Sequence, residues 1–518
     1  MNTAGWLNSL HAMDGRNVAQ FPARWFAGRG DEALGELLAL GLDITHGKQR
    51  ALVLEYIATS RPEKRFAAAL STGWHDERTF VLPDEVIGKT AVWYQGKDEQ
   101  NPYTKAGKFE HWKAQVAARA KDNPNLIVAL CGALAGPLFH LFNVSGGGLH
   151  WFGHTTLGKT SMLEAAQSAW GGPKFRRTWE TTAVGLQAVA TLHTDTLLVL
   201  DEIHMVDPKV LDSSIYALIN GHGKSRGNIH AASRPTARWR VLVLSSGEVS
   251  SETQLSLSGL TIRAGQTIRM LDIPVEGKHG AFDSLHGFKG GAEFADALRE
   301  AAAQHCGHAG PQFVSSLIDA RASGDLDLSK RLIETQKAFQ PLNEPQRRVA
   351  RIFSILALAG ELATKWGLLP WEQREALKAC VKLFKRWQKQ TLVSAASSPE
   401  RKILAAVANF IDRFGDDRFS ELLTVGGEHV RDRAGYWLDE LLEERDPEKP
   451  GQRFTRRIYL FTAIGLKEAT KGHDFRQVLN ALNAAGAFTR KDSAQFAVSV
   501  RTPKGTERLY HIDPAKLE

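Results

Sequence analysis

Cysteine is scarce in this chain of 518 residues: Cys131, Cys306 and Cys380 stand far apart. That spacing excludes a disulfide framework and the paired patterns of structural zinc sites, and it suits a reducing cytoplasm. The first residues lack a basic stretch leading into an apolar one, so no secretory signal is expected. No internal repeat and no low-complexity tract is visible. Long apolar runs are missing apart from Leu126 to Phe142, which is uncharged and at the lower edge of a membrane-spanning length. It holds Gly132, Gly136, Pro137 and His140 and runs almost directly into a strand-like segment, so a buried core helix is expected and no membrane contact. An acidic excess is absent as well: 65 Lys and Arg stand against 57 Asp and Glu, for a net charge of +8, a balance that suits a nucleic-acid partner. With 43% hydrophobic and 24% charged residues the chain is globular, and its length leaves room for three or four domains.

What is present begins with a glycine-framed loop. Residues Gly153, His154, Thr155, Thr156, Leu157, Gly158, Lys159 and Thr160 follow the apolar Leu149 to Phe152 and precede Ser161 and a helical pattern. Glycines at the first and sixth positions let the backbone fold back without a Cβ clash. Successive N–H groups then face one concavity and hold phosphate oxygens, aided by the positive end of the following helix. Lys159 reaches the β- and γ-phosphates as a point charge, and the Thr160 hydroxyl ligates Mg²⁺.

Forty-one residues after Thr160, the run Thr196 to Leu200 ends in Asp201 and Glu202. A short apolar run closing on acid reads as a central parallel strand with its carboxyl end at the ligand face. Asp201 would hold the metal through its water shell, and Glu202 would orient and deprotonate the attacking water. Together the two segments predict ATP binding with Mg²⁺, and hydrolysis.

Around this core the chain divides into an N-terminal mixed α/β domain (1–108), a phosphate-loop ATPase core (109–285), a helical lid segment (286–395) and a C-terminal winged-helix-like domain (396–518). Asn123-Pro124 reads as the start of the apolar helix, with Asn123 as its cap. Gly146 to Gly148 reads as the break before the first core strand. Strands are expected around 177–181, 239–245 and 268–273, alternating with helices over 182–192 and 206–219. That alternation implies an α/β fold with a parallel sheet covered on both faces.

Several residues are candidates to complete the site. Ser246 or Ser245, at the end of the next core strand, would sense the γ-phosphate and the lytic water; a plain Ser/Gly turn is the alternative. Arg269 is favoured over Arg263 as an arginine supplied to a neighbouring subunit's nucleotide, with a surface ion pair as the alternative. Arg348 and Arg351 are weaker candidates, reaching the nucleotide from the lid. Residues 221–238 contain no acid. Lys224, Arg226, His230 and Arg234 in that segment are candidates to grip single-stranded nucleic acid, a solvated loop or a contact to the next subunit being the alternatives. Arg453 to Arg457 is a second basic patch.

The phosphate loop, Thr178 to Thr182, Leu200 to Glu202, Ala217 to Arg226, Leu244 to Glu248 and Ala264 to Pro274 occur in the order of a known family. So do Gly73 to His75, Phe80 to Asp84 and Arg351 to Ala363. In these blocks the chain resembles the domain-of-unknown-function 927 family of phage and mobile-element proteins. The resemblance implies an AAA+ ATPase related to ring helicases, a hexamer or similar ring on DNA that serves replication. No zinc-ligand cluster or acidic polymerase motif precedes the core, so priming is expected from a separate primase or initiator. The alternative is an ATP-dependent DNA-binding switch that does not unwind. A two-core helicase, suggested by Asp201-Glu202-Ile203-His204, would need a second parallel sheet, which the helical pattern of 286–395 does not offer.

Overall fold

The computed structural model describes residues 7–11, 18–22, 30–39, 42–43, 47–59, 66–96, 101–223, 237–256, 269–396, 399–422, 430, 432–443, 453–492 and 495–517. Two compact units divide the chain, Met1–Gln390 and Thr391–Glu518.

In the first unit, strands β1 (Leu7–His11) and β2 (Val18–Pro22) form an antiparallel pair. Then come β3 (Ala67–Ala69), β4 (Gly73–Asp76), β5 (Thr79–Val81), β6 (Val86–Gly88) and β7 (Val92–Tyr94). Strands β4, β5 and β6 make a small antiparallel sheet, and the hairpin of β4 and β5 turns at Glu77-Arg78. This sheet docks on the core through Asp195, which is nearly buried and has its backbone at φ +58°. The Asp195 carboxylate accepts from the Trp74 backbone N–H at 3.1 Å and pairs with Arg240 at 3.3 Å. The Trp74 indole N–H donates to the Pro137 carbonyl, 3.0 Å away.

The central sheet contains β8 (Gly147–Phe152), β9 (Arg177–Thr178), β10 (Thr196–Asp201), β11 (Val241–Gly247) and β12 (Met270–Pro274), in the spatial order β12-β8-β11-β10-β9. Every neighbouring pair is parallel. The order reverses at β8, so the loop leaving its carboxyl end opens at the crevice where ligands of such sheets bind. Strand interiors are apolar on both faces because both faces are covered. Leu197, Val199, Leu242 and Leu244 point into one core with helix Pro124–Leu141, whereas Leu198, Leu200, Val241 and Val243 point into the other with Leu211, Ile215 and Leu218.

Helix Pro124–Leu141 is the one described helix long and apolar enough to cross a membrane, and 83% of its apolar window is buried inside the protein. It lies so close to the sheet that a Cβ at Gly136 would sit 2.5 Å from the Thr196 carbonyl oxygen. Asn123 does not cap it through its side chain. Instead the buried amide accepts from the Asp283 and Ser284 N–H groups, both at 2.8 Å, and donates to the Arg119 and Ser284 carbonyls. Three of the amide's four hydrogen bonds thus pin a distant segment, and the fourth closes on the preceding turn. Gly147 and Gly148 belong to β8 and are no break before it; Met270 packs where a Gly148 side chain would be.

After β12 the first unit continues through helices Gly291–Gln304, Ala309–Ala322, Leu328–Gln336, Glu344–Lys365 and Glu375–Ala396. Asp327 and Asn343 cap the third and fourth, each accepting from the N–H three residues on.

The second unit has helices Pro399–Phe414, Ala463–Ala469 and Phe475–Ala484 around strands β13 (Phe419–Glu421), β14 (Gly435–Glu443), β15 (Arg453–Phe461), β16 (Phe488–Arg490), β17 (Val498–Thr502) and β18 (Gly505–Ile512). Val407, Phe461, Val478 and Leu482 lie in its core. The patch Arg453 to Arg457 lies on β15, opposite acids on β14. Arg457 pairs with Asp439 at 3.1 Å and stacks on Trp437, and Arg456 pairs with Asp513 at 2.7 Å. Two of its three arginines thus have acidic partners within the unit.

Candidate functional site

The loop from β8 to helix Lys159–Gln167 needs positive φ at three points, the first being Gly153 at φ +153°. Thr156 sits at φ +64°, and Gly158, at the N-cap, sits at φ +76°. A Cβ at Gly158 would come within 2.5 Å of the Phe282 ring, so glycine is required both by backbone conformation and by space. Behind the loop, the Ala281 N–H donates to the Leu157 carbonyl at 2.7 Å. The segment pinned by Asn123 therefore supports the loop directly.

A cavity of about 300 Å³ opens over the loop and is lined by Thr155 through Ser161. Asp201, Glu202, Ser246 and Glu248 enter from the carboxyl ends of β10 and β11, and Asp296 and Arg299 from helix Gly291–Gln304. The sheet thus brings Lys159, Thr160, Asp201, Glu202 and Ser246 to one place. Gly153 and His154 supply carbonyls that accept from the Lys159 ammonium at 2.8 and 2.6 Å. Burial lowers the Lys159 pKa, against the raising influence of Glu248 and Asp201.

Asp201 is buried and doubly engaged. One carboxylate oxygen accepts from the Ser246 hydroxyl and the other from Arg176 Nη1 at 2.9 Å. Glu202 is exposed and holds φ +60°, a conformation uncommon for a non-glycine residue, and it turns the chain into the short helix that follows β10. Of the two serines, Ser246 faces the cavity. Ser245, one residue earlier on the strand, faces the other way, accepting from the Trp179 indole at 2.9 Å and lying 3.0 Å from His150 Nδ1. Burial pushes the His150 pKa down to about 4, so its ring is neutral near pH 7.

Arg176, Glu164, Asp296 and Arg299 escaped the sequence reading. Arg176, just before β9, also reaches Glu164 at 3.2 Å, and Arg299 approaches the same carboxylate at 3.6 Å. Burial raises the Glu164 pKa, while Arg176 and Arg299 oppose the rise. Nothing local marks Arg176 or Arg299; the pairing of β9 with β10 brings in the first, and packing of helix Gly291–Gln304 against the loop's helix brings in the second. Arg348 and Arg351 do not line the cavity, and Arg351 instead donates to the Phe142 carbonyl at 3.0 Å. That corrects the lid-side expectation.

Arg269 stands at the amino end of β12, the edge of the sheet away from its own phosphate loop, with its guanidinium 4.8 Å from the Tyr216 ring centroid. Arg263, Lys224, Arg226, His230 and Arg234 lie outside the described residues.

A family model described as "Domain of unknown function (DUF927)" matches residues 7–238. Over those residues the chain is similar to that family. The match takes in the phosphate loop, Asp201 and Glu202 and stops just before β11. Among solved structures, one described as "SCCmec type IV Cch - active helicase" superposes with a TM-score of 0.61 at 15% identity, covering 97% of this chain and 90% of its own. That likeness is one of fold, and it supports a phosphate-loop α/β fold with many helices for this chain. NtrX from Brucella abortus with ADP aligns at a TM-score of 0.19 and 12% identity over 46% of this chain and 65% of that one. No curated protein sequence matches.

Proposed function

We propose that the chain is an ATP hydrolase of the AAA+ type that moves along single-stranded DNA, a helicase-like motor serving replication of a phage or mobile element. The observation that carries the reading is the convergence of Lys159, Thr160, Asp201, Glu202 and Ser246 on one cavity at the carboxyl edge of a parallel sheet. The spatial order of strands, with the loop strand between the last and the fourth, supports the reading because it opens the loop at the crevice where such sheets bind ligands.

The residues fit Mg²⁺ and ATP. The glycine-framed loop offers backbone N–H groups and Lys159 to the phosphates. Among the described residues no group of three His, Cys, Asp or Glu side chains forms a metal cage. Thr160 and Asp201 match the habit of Mg²⁺, which takes few protein ligands together with phosphate oxygens. When bound, the metal neutralises charge on the β- and γ-phosphate oxygens. Glu202 orients the attacking water and takes its proton as the water oxygen bonds to the γ-phosphorus and the bond to the β–γ bridging oxygen breaks. Ser246, held by Asp201, faces the γ-phosphate. Arg299 is positioned to meet developing charge from the same chain. In a homo-hexamer or similar ring, Arg269 of one subunit would complete a neighbour's site.

Lys224, Arg226, His230 and Arg234 remain the candidates for the strand-gripping loop of the core. The second unit, with three helices followed by the hairpin β17–β18, supports a winged-helix-like reading and a further DNA contact. A separate primase or initiator is the expected partner. The likeness to an active helicase favours unwinding over a passive switch.

Incubation of the full chain with a forked DNA duplex, Mg²⁺ and ATP tests the proposal. Strand separation together with hydrolysis stimulated by single strands is expected. Stimulated hydrolysis without separation would overturn the motor and leave a switch.

A further inference from the structure

Helix Glu375–Ala396 carries a second feature that the nucleotide site does not use. Lys378, Lys382, Lys385 and Lys389 follow one another at steps of four, three and four residues, so they share one face at helical periodicity, and Arg374 stands just before the helix with its backbone at φ +69°. All five are exposed, while Ala379, Cys380, Leu383, Phe384 and Trp387 bury the other face. Beside Arg374, Lys378, Lys382 and Lys385 lies a groove of about 420 Å³ with Ala338, Leu377 and Val381 as its apolar floor, and no carboxylate lines it. Among the described residues, Lys378, Lys385 and Lys389 have no ion-pair partner within 4 Å. Lys382 pairs with Asp283 at 2.9 Å across a contact in which the two side chains keep 52% and 29% of their exposure. A pair so wetted is worth roughly 0–1 kcal/mol and is readily exchanged for another anion.

We infer that this groove binds the backbone of a single DNA strand, with phosphates along the lysine row and bases against the aliphatic floor. At 1.5 Å rise per residue the row from Lys378 to Lys389 is about 16 Å long, a length that meets several successive phosphates. Evenly repeated cations match a repeating polyanion, and a concave, apolar-floored channel fits a strand better than a flat lipid surface. The site also touches the nucleotide pocket mechanically. Asp283, the partner of Lys382, has its N–H held by Asn123 in the segment that supports the phosphate loop. The inference rests on the reading that the chain acts on single strands, and it adds a contact outside the core loop.

The test is fluorescence anisotropy of a labelled 20-nucleotide oligo-dT with the full chain, without nucleotide, between 50 and 200 mM salt. The variants are K378A/K385A and K378R/K385R. Removing two phosphate contacts should lower the slope of log affinity against log salt by about 1.4, at about 0.7 per contact for single strands, and weaken binding about 25-fold at 0.1 M salt. The arginine variant should bind like wild type, and both should melt at the wild-type temperature. If wild type binds the strand and K378A/K385A matches it in slope and affinity, the groove is excluded while the motor reading stands. If wild type binds no strand, both fall. Capture of wild type but not K378A/K385A by phosphatidylserine vesicles, with oligonucleotide affinity unchanged, would overturn the inference in favour of a membrane.

Discussion

Replacing Arg176 by alanine tests how the acids around the phosphate loop are held. Arg176 Nη1 touches Asp201 at 2.9 Å and Glu164 at 3.2 Å, so the two carboxylate oxygens lie no more than about 6 Å apart on either side of one nitrogen. Without the guanidinium they face each other directly. At an effective dielectric constant near 20, two unit charges at that separation repel by about 3 kcal/mol. Protonation of Glu164 limits the loss, because its pKa is already raised by burial and Arg176 is the main charge opposing the rise. A net cost of about 2–3 kcal/mol follows near pH 7. With about 2.1 cal/mol/K of unfolding entropy per residue, the first unit should melt about 3 °C lower. The pH dependence has a definite sign. A carboxyl whose folded pKa lies above its ordinary value contributes stability below that value and loses it as pH rises through the folded pKa. The deficit of R176A against wild type should therefore be small near pH 4.5 and grow toward pH 7. Scanning calorimetry at several pH values reads this directly. Equal melting of the two proteins at pH 7, or a deficit that does not shrink in acid, would refute the reasoning.

Other expectations are simpler. Glu202→Gln keeps the shape of the cavity and removes the base, so ATP affinity should hold while steady-state hydrolysis falls by about 10²–10⁴-fold; a variant that turns over normally would remove Glu202 from the chemistry. His150 and His193 are both buried with pKa values pushed down to about 4, so the folded state favours the neutral rings. Their contribution is present above about pH 6.5 and is lost as pH falls toward 4, by on the order of 3 kcal/mol for each ring. His150→Gln should flatten that acid-side loss in a melting series; an unchanged curve would contradict the assignment.

Short-range signals made the core legible. The loop 153–160 and the run into Asp201 each contain their whole chemistry in a few residues, and the alternation of strand and helix patterns implied the parallel sheet. The serine choice was open because a sequence shows two adjacent hydroxyls but not the pleat that turns one to the cavity. Asn123 before Pro124 satisfied a local capping rule, yet its amide is spent on residues 160 positions away. Arg176, Glu164 and Arg299 were invisible for the same reason: they meet only in the tertiary structure, Arg176 through the pairing of β9 with β10 and Arg299 through helix packing. The acid-rich stretch of β14 reads poorly as a strand, and its pairing with the arginines of β15 explains why it is one.

The account stands on a phosphate-loop pocket that binds ATP with Mg²⁺. Titration of a fluorescent ATP analogue into wild type and Lys159→Ala, with Mg²⁺ present, measures that most directly. The account predicts saturable binding by wild type, competed by ATP, and loss of at least tenfold in affinity in the variant. Equal affinity in both proteins, or no binding by wild type, would contradict it.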